Sequence, residues 1–437
     1  MTDPAVHITS GELTEDRFGR FRLLPWWDQD RIRETKVLVV GAGALGNEIL
    51  KNLALLGFER VVVVDADRIE LSNLSRSVLY RPHDIGRTKA EAAAAAYRNL
   101  YDRAVVQPLV SNILWDVGVG LFGWADVILA GLDNREARLW INRCAWKMGR
   151  PWIDGAIEGL NGVARVFLSG CPPCYECTLG ETDWDILERR MSCNLLTREE
   201  MAAGKVPTTP TTASVIAGIQ VQEALKHLHG LPVLAGKGYV FDGMNHTSYV
   251  VEYTANPECF SHHVHETIVR LPHRSADLTL EELHAEARRE LQSEDVVVEF
   301  SRDIVHKLVC SSCGGEEEVF APVGAVSVER GRCPRDGALR AVSAIHSYTG
   351  SESYGLRRLS ALGLPLWDVY AARSGEREIA YLLSGDAPSV LGPLWVPPDA
   401  ARPEGAQPDA ARPEVARPEA GQPDVEEARP VLPGVAV

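Results

Sequence analysis

The segment from Lys36 to Asp67 limits what this chain can fold into more than any other. It reads KVLVV, GAGALG, NEILKNLALLG and ERVVVVDAD in succession. Continuous apolar runs of this kind are typical of buried parallel strands, and a helix between two such strands forms a right-handed βαβ unit. The segment therefore predicts the start of a doubly wound, Rossmann-like α/β domain.

Later apolar runs extend this domain. Strands are predicted at AVVQPLV, ADVILAG, PWIDGAI and VARVFLSG, and a helix at NREARLWINRCAWKMG. Because strands and helices alternate as an open α/β sheet requires, we expect the domain to occupy residues 36–265. Residues 1–35 are polar with interspersed aromatic side chains, which indicates a helical lead-in.

The pattern changes after residue 265. TIVRL, VVVEF, IVHKLV, WDVYAAR and EIAYLL predict strands, and LRRLSALGL predicts a short helix. LTLEELHAEARREL predicts a longer helix, because its apolar residues fall on one face; they are Leu280, Leu283, Ala287 and Leu291. We expect a small α+β unit at 266–390 with a cysteine-bearing insertion at 306–340.

The last part of the chain, from residue 397, repeats ARPE and QPDAARPE units. A segment of this composition buries too little apolar surface to offset the entropy lost on ordering. It is therefore predicted to be a disordered tail.

Composition restricts the classes of function. Sixty acidic against 45 basic residues give a net charge of −15, which argues against nucleic acid as a partner. No apolar run reaches the roughly 18 residues of a membrane helix, and the N-terminus lacks a signal-peptide layout, so we expect a cytoplasmic protein without a membrane partner. In a reducing compartment, the CxxC spacing among its nine cysteines indicates metal binding or catalysis rather than disulfides.

The glycines of GAGALG predict a nucleotide site. Gly41, Gly43 and Gly46 follow a strand and open a helix, where the backbone can approach phosphates and free N–H groups can bind them. Asp65 ends the next strand, 19 residues after Gly46, where a carboxylate can accept hydrogen bonds from ribose hydroxyls. These features alone would favour an NAD-dependent dehydrogenase.

Further motifs change that interpretation. Asp67 is followed by LSNLSR, then by DIGRTKA and by GLDNREAR. With this ordered set, residues 15–255 resemble the adenylating superfamily of ubiquitin-activating (E1) enzymes and their bacterial ThiF/MoeB relatives, which act on sulfur-carrier proteins. Attack of a carboxylate on the α-phosphate of ATP builds negative charge that cations and a metal must stabilise.

The resemblance assigns roles in binding ATP and Mg²⁺. Arg76 and Lys89 would contact the phosphates and Asn73 would orient them, while Asp65 holds the ribose and Asp133 helps to bind Mg²⁺. Asp67 belongs to the same predicted site.

Arg20 ends Arg17-Phe18-Gly19-Arg20, which resembles an element before the first strand of this superfamily. There the second arginine reaches the partner's ATP across a dimer interface, so the resemblance implies a homodimer.

Two sets of possible zinc ligands follow. By resemblance, Cys174 and Cys177 bind structural zinc with Cys259 and His262, although His263 or His265 could replace His262. The second set looks like a zinc ribbon whose last cysteine has become aspartate, and His306 is near in sequence; its members are Cys310, Cys313, Cys333 and Asp336. Alternatively, Cys310 and Cys313 share one site with Cys174 and Cys177.

Cys193 resembles the catalytic cysteine of ubiquitin-type E1 enzymes, in a crossover loop at 178–208. Arg189 and Arg190 would lower its pKa, so that the thiolate could attack the acyl-adenylate. The family usually has threonine next, where this chain has Asn194, and a spare thiol is the alternative.

The 266–390 unit resembles the ubiquitin-fold domain with which E1 enzymes recruit an E2. The predicted function is therefore that of an E1, of a bacterial ubiquitination-like system given the Arg-rich, Lys-poor composition. It would adenylate a ubiquitin-like protein, form a thioester on Cys193 and transfer it to an E2. The alternatives are a sulfur-carrier adenylyltransferase without thioester transfer, an NAD-dependent oxidoreductase and a non-catalytic scaffold.

Overall fold

A computed structural model of the chain describes residues 16–184, 187 and 207–397. The described residues up to Leu394 belong to one compact unit. The predicted catalytic Cys193, most of the predicted crossover loop and the predicted tail from residue 398 lie outside the described residues. No helix of the described part is long and apolar enough to cross a membrane.

The first sheet has eight strands in the order β3-β2-β1-β4-β5-β6-β7-β8. Strands β1 to β5 are parallel, whereas β5 to β8 form antiparallel pairs. The strands are β1 (Lys36–Val40), β2 (Arg60–Val64), β3 (Val105–Leu109), β4 (Val127–Gly131), β5 (Trp152–Glu158), β6 (Asn161–Phe167), β7 (Lys237–Asp242) and β8 (Thr247–Glu252).

Helices alternate with the parallel strands, which confirms the prediction of a Rossmann-like α/β sheet. The helices of this part whose two ends lie in the described residues are α1 (Gln29–Glu34), α2 (Ala44–Leu56), α3 (Lys89–Leu100), α4 (Val119–Trp124), α5 (Arg135–Lys147) and α6 (Pro210–Leu228). Short 3-10 turns lie at Phe21–Leu23, Leu71–Ser75, Pro82–Asp84 and Glu176–Thr178. Helices α2, α3 and α6 share one apolar core with β1 and β2.

The antiparallel end of the sheet goes beyond the sequence prediction. VARVFLSG forms β6 but runs antiparallel to β5, and the sequence analysis did not identify β7 and β8. Strand β8 is mostly exposed, so it lacks the continuous apolar run that identified the buried strands.

A second sheet of six strands follows. Its order is β11-β10-β13-β14-β9, and β12 also pairs with β10. The strands are β9 (Ile268–Leu271), β10 (Val297–Val309), β11 (Glu316–Pro322), β12 (Ala341–Tyr348), β13 (Val369–Ser374) and β14 (Arg377–Leu383). The helices are α7 (Leu280–Leu291), α8 (Val328–Gly331) and α9 (Ala387–Leu391), with 3-10 turns at Phe260–His262, Val323–Ala325, Leu359–Leu362, Ser384–Asp386 and Gly392–Leu394.

Helix α7 begins with a capping box between Thr279 and Glu282, and its predicted apolar face is buried. Two details differ from the prediction. VVVEF and IVHKLV belong to the single strand β10, and LRRLSALGL forms only a 3-10 turn. Gly363 ends that turn at φ +77°, and Pro365 follows, a combination that disfavours continuation as a helix.

Hydrogen bonds join helix α4 of the first part of the chain to the segment just before β13 of the second sheet. The Val119 N–H donates to Asp368 Oδ1 at 2.8 Å, and the Gly120 N–H donates to the Trp367 carbonyl at 3.0 Å. A Cβ atom on Gly118 would fall 2.6 Å from the same carbonyl, so only glycine allows this approach. The two sheets are therefore packed within one compact unit.

Candidate functional site

A cavity of about 1130 Å³ opens at the carboxyl ends of β1, β2 and β4. The strand order reverses between β1 and β4, which is where open α/β sheets bind ligands. Most of the residues that the sequence assigned to nucleotide binding line this one cavity: Gly41, Gly43, Asp65, Asp67, Asn73, Arg76, Lys89 and Asp133. Gly46 and Arg20 are not among its lining residues in the described part of the chain.

The glycines of the loop after β1 have different tasks. Gly41 has φ +91°, and a Cβ atom there would lie 2.5 Å from the Gly131 carbonyl oxygen. A Cβ atom on Gly46 would overlap the carbonyl of Gly41, so Gly46 allows close packing rather than lining the cavity. Gly43, at the start of α2, has open space beside it, so a ligand can approach the backbone there.

Asp65 fixes the glycine loop from the end of β2. Its Oδ2 accepts a hydrogen bond from the Ala42 N–H at 2.7 Å, and its Oδ1 accepts one from the Asp67 N–H at 2.8 Å. Burial raises the pKa of the Asp65 carboxyl, although Lys89 and these N–H donors oppose the shift.

Lys89 lies between the carboxylates. Its Nζ is 2.7 Å from Asp67 Oδ2. Burial alone would lower the pKa of Lys89, but the charge of Asp65 and the hydrogen bond to Asp67 outweigh it and raise the pKa. Lys89 is therefore a charged ammonium group at the cavity wall at neutral pH.

Asn73 and Arg76 belong to the 3-10 turn after β2. Asn73 Oδ1 accepts the Glu70 N–H at 2.9 Å and so closes the start of the turn. Arg76 Nη1 donates to the Ser72 carbonyl at 2.8 Å, which leaves its other donors for a ligand. The turn therefore presents a guanidinium to the same cavity as Lys89.

Asp133 is exposed just after β4, and the loop that carries it is held by a residue that sequence reasoning missed. Arg138 Nη2 donates to the Leu132 carbonyl at 2.6 Å, while its Nε donates to Asp154 Oδ1 at 2.9 Å. Arg165 contacts the other carboxylate oxygen of Asp154 at 2.5 Å.

Asp154 is completely buried in β5. Burial would raise its pKa, but the guanidinium groups of Arg138 and Arg165 outweigh it and lower the pKa. An aspartate inside the apolar run PWIDGAI was the sequence signal for this network, because a buried carboxylate needs charged partners.

Arg20 is exposed and lies outside the cavity. Arg17, the first arginine of the same element, has a packing role instead: it donates to the Leu100 carbonyl at 2.7 Å and lies 4.9 Å from the Tyr101 ring centre. The predicted contact of Arg20 with a partner's nucleotide stays a prediction.

The first set of predicted zinc ligands comes together. Cys174 Sγ lies 3.8 Å from Cys177 Sγ and 3.6 Å from Cys259 Sγ, and Cys177 Sγ lies 3.3 Å from His262 Nε2. Tetrahedral zinc with Zn–S bonds of about 2.3 Å separates its sulfur ligands by about 3.8 Å, so the geometry fits this ion. The His262 ring stacks on Trp146 at 4.6 Å, and burial lowers its pKa, which favours the neutral ring.

The other two histidines proposed as the fourth ligand lie elsewhere. His263 Nε2 and His265 Nδ1 both contact Glu378 Oε1, at 3.0 and 2.6 Å. His262 is thus the histidine that the fold brings to the three cysteines.

The second set of predicted ligands forms its own group, so the single shared site is not the arrangement found. Cys313 Sγ lies 3.7 Å from Cys333 Sγ, and Cys310 Sγ lies 3.4 Å from Asp336 Oδ2. His306 instead contacts the Phe320 ring at 5.0 Å.

Two turns of the same backbone pattern carry this second group. The Gly314 N–H donates to the Cys310 carbonyl, and the Gly337 N–H donates to the Cys333 carbonyl, both at 2.9 Å. Both glycines have positive φ, +67° and +73°. Asp336 therefore occupies in the second turn the position of Cys313 in the first.

The second sheet also reaches the cavity, which the sequence analysis did not foresee. The residues that it contributes to the wall are Ser301, Arg302, Asp303 and the loop 322–327.

Comparison with known proteins identifies the family. The ThiF family profile matches residues 17–261. The NEDD8-activating enzyme E1 catalytic subunit of Arabidopsis thaliana is 40% identical over 165 residues, which are 35% of this chain and 36% of that protein. The SAMP-activating enzyme E1 of Haloferax volcanii is 33% identical over 239 residues, which are 53% of this chain and 81% of that protein.

Coverage limits what these relatives show. The chain spans about a third of the length of the first curated relatives that it matches. The solved structure of E. coli MccB with ATP is 21% identical to this chain and has a TM-score of 0.48. The match covers 58% of this chain and 76% of the MccB chain. This similarity is too low to support a conclusion. Because the ThiF profile matches more than half of the 437 residues, the chain belongs to the ThiF family, within the E1-like adenylating superfamily.

Proposed function

We propose that this chain is an E1-like enzyme that uses MgATP to adenylate the C-terminal carboxylate of a ubiquitin-like protein. The carboxylate oxygen attacks the α-phosphorus and pyrophosphate leaves. The Cys193 thiolate then attacks the acyl carbon, AMP leaves, and the thioester passes to the cysteine of an E2. One observation carries the adenylation step: the glycine loop, the predicted cations Arg76 and Lys89, and the predicted carboxylates all line a single cavity; these carboxylates are Asp65, Asp67 and Asp133.

The cavity residues suit this chemistry. Backbone N–H groups at Gly43 and the start of α2 would bind phosphate, with Lys89 and Arg76 adding positive charge and Asn73 fixing the turn that carries Arg76. Asp65 would accept the ribose hydroxyls, and Asp133, with Asp67 nearby, would hold Mg²⁺, which supplies charge neutralisation at the phosphates. The alternative NAD-dependent chemistry would leave Arg76, Lys89 and Asp133 without a role.

The names of the relatives support protein-modifier activation. They are NEDD8-activating and SAMP-activating E1 enzymes. The alternative of a sulfur-carrier adenylyltransferase without thioester transfer is not favoured by these names. A bacterial ubiquitination-like system in the cytoplasm remains our proposal for the setting.

We further propose that residues 36–265 are the adenylation domain, after a lead-in at 1–35, and that 266–390 recruit the E2 as a ubiquitin-fold-like domain. Two features support the proposed ubiquitin-fold-like domain. Helix α7 lies beside a mixed sheet, and the first strand of this sheet, β9, runs parallel to its last strand, β14. We propose zinc in both cysteine groups, with a zinc-ribbon-like insertion at 306–340, and a homodimer in which Arg20 reaches the partner's ATP.

ATP–pyrophosphate exchange tests the adenylation step. With a ubiquitin-like partner, purified protein should catalyse exchange, and Asp133→Ala or Lys89→Ala should reduce it by on the order of 10²-fold, because each removes charge stabilisation of the transition state. Lys237→Ala is the matched control, since Lys237 pairs with Glu252 and does not line the cavity. Tight NAD binding without exchange would overturn the proposal.

Cys193→Ala tests the thioester separately. Exchange should persist, because adenylation does not use the thiol, while the thiol-sensitive band shift of the loaded enzyme should disappear. Cys171→Ala, at an exposed cysteine, is the control. A band shift that survives in Cys193→Ala would show that another cysteine carries the thioester.

A further inference from the structure

Strand β10 contains an irregularity that faces the cavity. Glu299 pairs with Ser347 and Ile304 pairs with Ile345, so five steps along β10 correspond to two steps along β12. A bulge of this kind bends a strand and redirects its side chains, and bulges often lie next to functional sites. Here the redirected residues are 301–303, which line the cavity.

Arg302 is fixed within this bulge. Its Nη2 donates to the Val117 carbonyl at 3.0 Å, and its Cζ lies 4.5 Å from the centre of the Trp140 ring. Its Nη1 is buried and has no hydrogen-bond partner among residues 16–184 and 207–397. A buried donor without a partner is costly, and such groups persist where a ligand can satisfy them.

Trp140 adds a second donor of the same kind. Its Nε1 is buried, and within the described part of the chain it also lacks a partner. Trp140 and Arg302 both line the cavity and contact each other. The wall thus offers an aromatic plane, a guanidinium and two N–H donors, which suits a flat ring that carries acceptor nitrogens.

We propose that Arg302 and Trp140 bind the purine base of ATP, so that the second sheet completes the nucleotide site; this inference rests on the function proposed above. In this arrangement the phosphates would bind at the loop after β1 and the ribose at Asp65, at the end of β2. The base would then extend away from the phosphates, toward the loop after β3, the strand next to β2. Purine N3 and N7 are acceptors for the two N–H groups.

The second sheet closes the same end of the cavity with another segment. The loop 322–327 lines the cavity, and a Cβ atom on Gly324 would lie 2.8 Å from the Trp115 ring, so the loop packs directly on the segment after β3. Arg302 is held two residues further along that segment, at Val117. The base site is therefore built from both sheets, and Arg302 is its specificity-determining cation.

Direct binding measurements with the full chain test this proposal. Calorimetry should show that Arg302→Gln raises the Kd of MgATP roughly tenfold, as expected for loss of a charged donor. The affinity for inorganic tripolyphosphate, which has no base, should not change. Lys307→Gln on the same strand is the control, because Lys307 pairs with Glu316 and does not line the cavity.

Arg302→Lys keeps the charge but loses the planar fork of the guanidinium, whose separate nitrogens can donate to the Val117 carbonyl and to the base, so it should weaken ATP binding with an unchanged melting temperature. If Arg302→Gln does not fold, Arg302→Lys decides alone. Equal weakening of ATP and tripolyphosphate, or unchanged ATP binding by a folded variant, overturns the base contact. If the wild-type protein catalyses pyrophosphate exchange but the Arg302 variants bind ATP normally, this inference alone is refuted. If the wild-type protein binds no ATP, the proposed function is refuted as well.

Discussion

The two cysteine groups have almost the same donors but different places in the chain. The first joins residues 85 positions apart, Cys174 to Cys259, whereas the second joins Cys310 to Asp336, only 26 apart. Loop-closure entropy distinguishes them by only about 1 kcal/mol, because it grows with the logarithm of loop length. The two cysteine groups differ more in the structure that surrounds them.

The first group is tied into the core of the first sheet. Cys174 is fully buried, and His262 stacks on Trp146 of α5. Glu176, between the two cysteines, contacts Arg143 of α5 and Ser261, next to His262. The second group lies between two turns at the end of the second sheet, and its Asp336 is exposed. A metal in the first group would therefore stabilise the whole fold, and a metal in the second group a local turn.

The largest effect is expected when the first group is broken. Cys259→Ser should lose one zinc and lower the free energy of unfolding by several kcal/mol, because structural zinc sites contribute roughly 10 kcal/mol or more of binding free energy to folding. Guanidinium unfolding with metal analysis measures both. Cys171→Ser is the control, an exposed cysteine outside either group. Unchanged zinc content in Cys259→Ser would contradict the first site.

A smaller effect is expected in the second group. Cys333→Ser should lose the other zinc, and increased amide exchange should be confined to residues around 306–340, because the ligands of this site are local. Two zinc ions per wild-type chain are expected. Increased amide exchange in strands β1 to β5 would show that the second site also stabilises the first sheet.

Features set by local sequence could be predicted, whereas features that depend on packing between distant segments could not. The sequence predicted the buried strands such as β1 and β4, the glycine loop and the two sets of possible zinc ligands. Apolar runs and fixed spacings between cysteines are local signals that can be recognised without the fold. The contribution of Arg302 to the cavity could not be predicted from the sequence, since it depends on a bulge in β10 and on packing between two sheets. Likewise, the sequence of α5 does not distinguish Arg138 from its other polar residues, because the role of Arg138 depends on Asp154, which the fold brings beside it.

Replacing the carboxylate ligand tests the difference in donors. Asp336→Ala should lose the second zinc without affecting the first. Asp336→Cys should restore four soft donors and increase zinc affinity by about tenfold or more, measured by competition with a chelator, because thiolate suits zinc better than carboxylate does. An unchanged or lower affinity in Asp336→Cys would mean that this position does not contact the metal.

The smallest effect concerns the backbone of the second group. Gly314 and Gly337 have positive φ and open space beside their Cα atoms, so alanine there would meet no atom but would strain the backbone by about 1 kcal/mol. Gly337→Ala should therefore weaken zinc binding less than tenfold, and Gly314→Ala should do the same, because both turns have the same hydrogen-bond pattern. Gly180→Ala is the control, since its φ is not positive and its new Cβ would touch only Asp183 at 3.9 Å. A large effect at one glycine alone would show that the two turns do not share the metal equally.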